Sequence, residues 1–230
     1  MEDESPRYGV AGILIFGTFV EVIAMAHHPS FATADVATAT RGILTTNSIA
    51  AWVHGVLITL MLLIAFCMSE FAVREGARRP LIRAGTIGYG AGVILMIGAA
   101  LVSGFVVPNL VTSLAAVPVL DAQLMRALLI LCRMLNQSCA NASVLATSGG
   151  IACWSIALLR KPGRAQSSAP QQESGLRRGV GAVGCLVALI PAAGLLSSVM
   201  SLNLHGMSAV LMIQGLWNIA VAVLLVRRSR

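Results

Sequence analysis

Basic residues are distributed unevenly along this chain, because long apolar stretches are separated alternately by arginine-rich loops and by loops almost free of Lys and Arg. The basic positions occupy two connections and both termini: Arg7, Arg74, Arg78, Arg79, Arg83, Arg160, Lys161, Arg164, Arg177, Arg178, Arg227, Arg228 and Arg230. Of the 16 basic residues, only Arg41, Arg126 and Arg133 lie elsewhere. Loops rich in Lys and Arg stay on the cytoplasmic side of a membrane. The pattern therefore predicts six crossings with both termini in the cytoplasm.

The composition excludes an ordinary soluble domain. Hydrophobic residues make up 57% of the chain and charged residues only 11%, whereas soluble domains average about 25% charged residues. The net charge of +7 would indicate a nucleic-acid partner in a soluble protein. Here the basic residues lie in short loops beside helix ends, where membrane topology accounts for them. The predicted partner is the lipid bilayer, and no nucleic-acid partner is expected.

Six apolar runs are each long enough for a hydrocarbon core of about 30 Å, which takes about 20 helical residues to cross. They lie near 9–26, 48–69, 85–107, 134–159, 179–200 and 206–226. The predicted fold is an all-α, polytopic bundle of six transmembrane helices, forming one integral membrane domain over residues 1–230. A segment rich in Ser, Gln, Pro and Gly, residues 164–175, is predicted to be a flexible cytoplasmic linker.

The sequence pattern leaves the start of the fourth helix undecided. A helical pattern begins at Asp121, which suits the first turn of a helix, and continues to Leu159. A single helix of this length would extend about 58 Å, at about 1.5 Å per residue, and would project beyond the bilayer. One continuous helix and two shorter helices both agree with the pattern.

The N-terminus predicts a retained first helix, since Met1 to Tyr8 contains three acids and one arginine and lacks the basic region of a secretory signal. Small size and short loops favour a bacterial-type inner membrane. Gly88 and Gly92 form a pair of small residues four positions apart, which lets helix backbones approach closely. Such glycine-rich helices favour packing within one chain or self-association into a homo-oligomer.

Ionisable residues inside a membrane are costly, so they are the first candidates for function. The predicted topology places Glu21, His27, His28, His54 and His205 toward the outer face, and these include all four histidines of the chain. Imidazoles from different helices can hold heme iron, and imidazoles with a carboxylate can hold a transition metal. The histidines therefore predict heme b or metal binding, with electron transfer or metal handling as the function.

Structural roles are an equally open interpretation of these residues. His27 and His28 precede Pro29 and are compatible with a polar helix exit. His205 beside Gly206 is compatible with a helix cap, and His54 with a hydrogen bond to a backbone carbonyl or to Glu21. In that case the protein would be a membrane subunit or scaffold without chemistry of its own.

A polar stripe on the fourth helix supports an alternative function. Arg126, Arg133, Gln137 and Asn141 follow one another at helical spacing, with Asn136 beside them. Such a stripe lines a cavity or pairs with a neighbouring acid, and Arg133 could receive an anionic substrate from outside. The alternative hypothesis is therefore a small-molecule or anion permease that contacts its substrate through Arg133, Asn136 and Asn141.

Further polar groups lie in the sixth helix, where Gln214 and Asn218 are one turn apart. We expect them to form interhelical hydrogen bonds. The sequence contains no HExxH, GxSxG or phosphate-binding loop motif, so we predict no catalytic residues and expect a protein other than an enzyme. An intramembrane metal-dependent hydrolase with Glu21 as its base remains an open alternative.

Overall fold

The computed structural model describes residues 5–26, 36–115, 122–160 and 171–227. Nearly all of them are helical, and these four ranges contain no β-strand. The elements in chain order are α1 (Ser5–Ala26), α2 (Val36–Arg74), α3 (Pro80–Leu101), a π-helical turn (Val102–Val106), α4 (Val107–Ala115), α5 (Ala122–Leu159), α6 (Gln171–Leu196) and α7 (Leu204–Arg227).

Six of these helical stretches are long and apolar enough to cross a membrane: Tyr8–Ala26, Thr40–Arg74, Pro80–Leu114, Gln123–Leu159, Gly175–Leu196 and His205–Arg227. The prediction of an all-α bundle with six membrane-spanning helices is confirmed. The chain is a multi-pass membrane protein in contact with a lipid bilayer. We call the end of the bundle that carries Arg74, Arg160 and Arg227 the basic end, and the other the opposite end.

The third span is one continuous helical stretch in which the π-helical turn separates α3 from α4. Pro108 follows this turn within α4. A proline has no backbone N–H, and in a regular α-helix its ring would clash with the carbonyl four residues earlier, here that of Gly104. The wider turn before Pro108 accommodates the proline without ending the helix.

Two helices are much longer than the roughly 30 Å that the hydrocarbon core of a membrane requires. α2 contains 39 residues and α5 contains 38, so each is about 57 Å long or more at about 1.5 Å per residue. The structure therefore has one helix over Ala122–Leu159, and Asp121 lies outside the described residues. α2 begins well before the predicted start near residue 48, because Ile43 packs with Val111 of α4 and Met125 of α5.

The predicted bounds of the fifth span need correction at both ends. α6 already begins at Gln171, inside the segment 164–175 that was predicted to be a linker, whereas residues 161–170 lie outside the described ranges. It ends at Leu196 rather than near residue 200. The turn that follows contains Ser198 at φ 59°, and the Met200 N–H donates to the Gly194 carbonyl over 2.8 Å. Pro191 lies inside α6.

Glycines on α3 allow that helix to pack closely on α5, and this is the most extensive helix contact in the structure. A Cβ atom on Gly92 would lie 2.5 Å from Thr147 Cγ2, and one on Gly88 would lie 3.3 Å from the Ala146 carbonyl oxygen. The predicted close-packing role of this pair is confirmed within a single chain. Self-association through other glycine-rich surfaces stays a prediction.

Four aromatic side chains fill the centre of the bundle toward the basic end, and we call them the aromatic cluster: Phe71, Tyr89, Trp154 and Trp217. The two indoles stack with ring centroids 5.9 Å apart, and Phe71 meets each of them edge-on. Trp154 Nε1 donates to the Ile82 carbonyl over 3.1 Å. The cluster closes the bundle between the basic end and the cavity described below.

A buried ion pair lies below the aromatic cluster at the basic end. Arg177 of α6 places Nη2 2.9 Å from Glu75 Oε2, and the Glu75 residue is only 3% exposed. Arg177 Nε also donates to the Leu158 carbonyl over 3.3 Å, while Arg79 Nη2 donates to the Ala157 carbonyl over 3.2 Å. The two arginines thus satisfy carbonyls at the C-terminus of α5 that have no partner within the helix.

Candidate small-molecule cavity

A large cavity occupies the half of the bundle near the opposite end. Its volume is about 1450 Å³. Its walls come from the end of α1, from α2, α3, the π-helical turn, α4 and α5, from the turn between α6 and α7, and from the start of α7. Surveyed ligand pockets measure about 300–1,000 Å³, so this space is sufficient for a sizeable organic molecule. The lining includes Glu21, His54, Arg133, Asn136 and Asn141, all of which the sequence singled out.

Three contacts between neighbouring helices define depth inside the cavity. The outermost is the packing of Ile43 on Met125. At the middle level, the Asn136 amide donates to the Ser103 hydroxyl across α5 and the π-helical turn. The deepest is the packing of Ala99 against Ala140. Residues further along α5 therefore lie deeper in the cavity, that is, further from the opposite end and nearer to the aromatic cluster.

His54 is held rigidly at the middle level. Its Nδ1 lies 2.7 Å from the Ala50 carbonyl oxygen, and because a carbonyl can only accept, Nδ1 carries the proton and donates. The ring packs against Gly104 of the π-helical turn, and the residue is 3% exposed. The predicted hydrogen bond to a backbone carbonyl is confirmed. His54 therefore contributes one of its edges to the cavity wall.

His205 lies elsewhere. It is exposed at the start of α7 and does not line the cavity. The cap of that helix is instead Asn203, whose Oδ1 accepts a 2.9 Å hydrogen bond from the Gly206 N–H. His27 and His28 lie outside the described residues. Within the ranges that the structure describes, no three His, Cys, Asp or Glu side chains are close enough to hold one metal ion.

Glu21 lines the cavity at its deep end. Gly17, one turn earlier on α1, lies against Leu60 and Ile64 of α2, which places Glu21 near the level of Leu57. The carboxyl forms an ion pair with no arginine or lysine among the described residues, so it is not the neighbouring acid with which the arginines of the polar stripe could pair. A cavity-lining carboxyl at this depth is a costly feature for a membrane protein to retain.

The polar stripe on α5 lies along one wall of the cavity, from Arg126 to Asn141. Arg126 and Arg133 are both exposed, and neither forms an ion pair with a described acidic residue. Deeper along the same wall, the Gln137 amide donates to Asn141 Oδ1 over 3.1 Å. All four residues of the predicted stripe therefore line the same cavity.

Polar groups outside the cavity join helices, as expected. Gln214 Nε2 donates to Thr147 Oγ1 over 3.2 Å, and Asn218 Nδ2 donates to Thr18 Oγ1 over 3.2 Å. The prediction of interhelical hydrogen bonds is confirmed for both. The sequence did not predict the part played by Ser103 and Gly104, and the only available signal was a Ser-Gly pair shortly before Pro108 in an apolar span.

Comparisons of the chain with models of protein families, with curated proteins and with solved structures found no match. The function must therefore be inferred from the cavity itself.

Proposed function

We propose that this protein binds small organic anions in the cavity near the opposite end and acts as a permease for them. The observation that carries the proposal is the convergence of Arg133, Asn136 and Asn141 on one cavity of about 1450 Å³. Pockets for small molecules combine an apolar lining with a few converging polar groups, and this cavity has that composition. The amides supply donors and acceptors, and the guanidinium supplies charge.

The distribution of basic residues supports an anionic substrate. Arg41, Arg126 and Arg133 are the three basic residues that do not belong to the arginine-rich loops or termini, so membrane topology does not account for them. Two of these three line the cavity. A guanidinium presents a planar fork of donors that matches carboxylate and phosphate groups. The two arginines are therefore suited to receive an anion at the cavity entrance.

The alternative, heme or metal binding by the histidines with Glu21, has less support. His54 and Glu21 share the cavity, but His205 lies outside its lining. His54 in the Nδ1-protonated form would present Nε2 to a metal, yet the described residues supply too few further ligands around it. The permease hypothesis uses the residues that the structure groups together.

We further propose that the opposite end faces the outside of a bacterial-type inner membrane, with both termini in the cytoplasm. The support is the concentration of basic residues at the other end of the bundle, as in other multi-pass proteins. In this orientation the cavity receives solutes from outside, and the aromatic cluster closes the path toward the cytoplasm. Under this proposal the cavity would be the substrate site of an outward-facing transporter.

The test is a ligand screen followed by a transport assay. Full-length protein in detergent is screened by thermal unfolding against mono- and dicarboxylates, phosphate esters and organic cations of matched size. An anion that raises the unfolding midpoint is then offered, in radiolabelled form, to proteoliposomes. We expect saturable uptake that is lost in Arg133→Gln and retained in the matched control Arg178→Gln, an exposed arginine of α6 outside the cavity. The proposal is wrong if no anion stabilises the protein, or if Arg133→Gln responds like the wild type.

A further inference from the structure

We propose that the ligand of the cavity is an amphipathic anion, with its charged group at Arg126 and Arg133 and an apolar chain extending toward the aromatic cluster. This inference rests on the proposed function and adds the chemical class of the substrate. It follows from the length of the cavity, from the order of side chains along its walls and from the position of Glu21.

The cavity is long. On α5 its lining extends from Arg126 to Leu145, and on α2 from Ile43 to Met61. At about 1.5 Å per residue, these stretches correspond to about 29 Å and about 27 Å along the helix axes. A compact hydrophilic anion would occupy only a small part of such a space.

The charged and polar groups of the α5 wall follow a fixed order. Arg126 and Arg133 lie toward the opposite end, with apolar residues between them. The amides of Asn136 and Asn141 follow, from the middle level to the deepest level, and Leu145 ends the lining. The same order of depth is set by the contacts of Met125, Asn136 and Ala140 with neighbouring helices. The charged groups of this wall thus lie toward the opposite end, the amides come next, and an apolar zone at Leu145 comes last.

The other walls of the deep end are also largely apolar. Leu57 and Met61 come from α2, Met96 and Ala99 from α3, and Leu211 from α7. The cavity lining as a whole contains five methionines, which are Met25, Met61, Met96, Met200 and Met207. Methionine is unbranched and adapts to irregular shapes, so such a lining accepts apolar chains of different lengths.

Glu21 gives the ligand a preferred direction. Its carboxyl lies at the deep end near the level of Leu57, whereas the arginines lie toward the opposite end. An anionic group would be attracted by the guanidiniums, whereas the carboxyl at the deep end has no positive charge to offer it. The charged group of the ligand therefore belongs at the arginines, and its chain belongs in the apolar zone.

The test measures binding by the full-length chain in nanodiscs of phosphatidylcholine, which has no net charge. Three probes separate the contributions: dodecyl phosphate has charge and chain, methyl phosphate has the charge alone, and dodecyltrimethylammonium has the chain with the opposite charge. Equal volumes of empty nanodiscs correct for partition into lipid. We expect saturable binding of dodecyl phosphate, with methyl phosphate at least about tenfold weaker and the ammonium probe no different from empty nanodiscs.

Two variants test the orientation. Arg133→Gln should weaken dodecyl phosphate about tenfold or more, since it removes a charge-assisted contact with the headgroup. Leu145→Gln should weaken dodecyl phosphate and leave methyl phosphate unchanged, because only the chain reaches the deep end. Leu159→Gln is the matched control, an exposed leucine of α5 outside the cavity. An unchanged affinity of dodecyl phosphate in Leu145→Gln would overturn the inference.

The outcomes also separate this inference from the proposed function. If methyl phosphate binds as tightly as dodecyl phosphate and depends on Arg133, the anion-binding function stands and the amphipathic ligand is wrong. If neither phosphate binds above the level of empty nanodiscs, the amphipathic ligand is wrong, and the thermal screen of carboxylates and phosphate esters decides separately whether the cavity binds anions. If dodecyl phosphate does bind, two further probes identify the natural source of the ligand. Tighter binding of dodecanoate would indicate free fatty acids, and tighter binding of a lysophosphatidic acid would indicate lipids derived from the membrane.

Discussion

The imidazole of His54 occupies the space that a side chain on Gly104 would need. A Cβ atom built on Gly104 would lie 2.5 Å from His54 Cγ and 2.9 Å from Nδ1. The contact joins the middle of α2 to the π-helical turn, next to the hydrogen bond between Asn136 and Ser103. The width of the cavity at its middle level therefore depends on a glycine and a histidine that are far apart in the chain.

We predict that Gly104→Ala destabilises the protein by about 1–3 kcal/mol, because the added methyl group overpacks a buried contact. Thermal unfolding in detergent measures the effect. Gly90→Ala is the matched control, since a Cβ atom there has nothing within 4 Å. In a His54→Gly background the same Gly104→Ala substitution should cost much less, because His54→Gly removes all the atoms that the added methyl group would meet. An equal cost of Gly104→Ala in the wild-type and His54→Gly backgrounds would contradict the proposed contact.

His205→Ala separates the cavity hypothesis from the histidine hypothesis. His205 is exposed and outside the cavity lining, so we expect anion binding to stay within about twofold of the wild type, as for most surface substitutions. Heme or metal binding through His54 and His205 would instead give a Soret band or stoichiometric metal in the purified protein. Loss of that signal in both His54→Ala and His205→Ala would revive the histidine hypothesis.

Glu75→Gln should destabilise the basic end by about 3–5 kcal/mol, because it leaves the buried guanidinium of Arg177 without its counter-charge. The side chains of the pair are 1% and 7% exposed, so solvent compensates for little of the loss. Arg178→Gln, next in sequence to Arg177 but exposed, should change the unfolding midpoint little. Comparable midpoints for Glu75→Gln and Arg178→Gln would show that the ion pair adds no stability.

The orientation is testable with reporter fusions. Green fluorescent protein fused after Arg230 should fluoresce, because both termini are predicted to be cytoplasmic. Alkaline phosphatase fused after Ser30, in the connection between α1 and α2, should be active, since this enzyme folds in the periplasm. The opposite pattern, with a dark C-terminal fusion and an inactive Ser30 fusion, would place the cavity on the cytoplasmic side and reverse the direction of the proposed transport.

Hydrophobicity and helical spacing were sufficient to predict six spans and the polar stripe of Arg133, Asn136 and Asn141. Both are local properties, because the membrane thickness determines span length and helix geometry determines which side chains share a face. The bounds of α2 and α6 were predicted less well. The early start of α2 depends on Ile43 meeting Val111 and Met125, which no local pattern shows.

The sequence by itself determined the class of protein, the number of crossings and the concentration of basic residues at one end, because each follows from the transfer of side chains between water and lipid. Only the tertiary structure decided which polar residues share a space. It brought Glu21, His54 and Arg133 to one cavity, left His205 outside it, and paired Glu75 with Arg177. Such groupings depend on how helices distant in sequence pack against each other, and close packing around glycines such as Gly92 and Gly104 sets that arrangement.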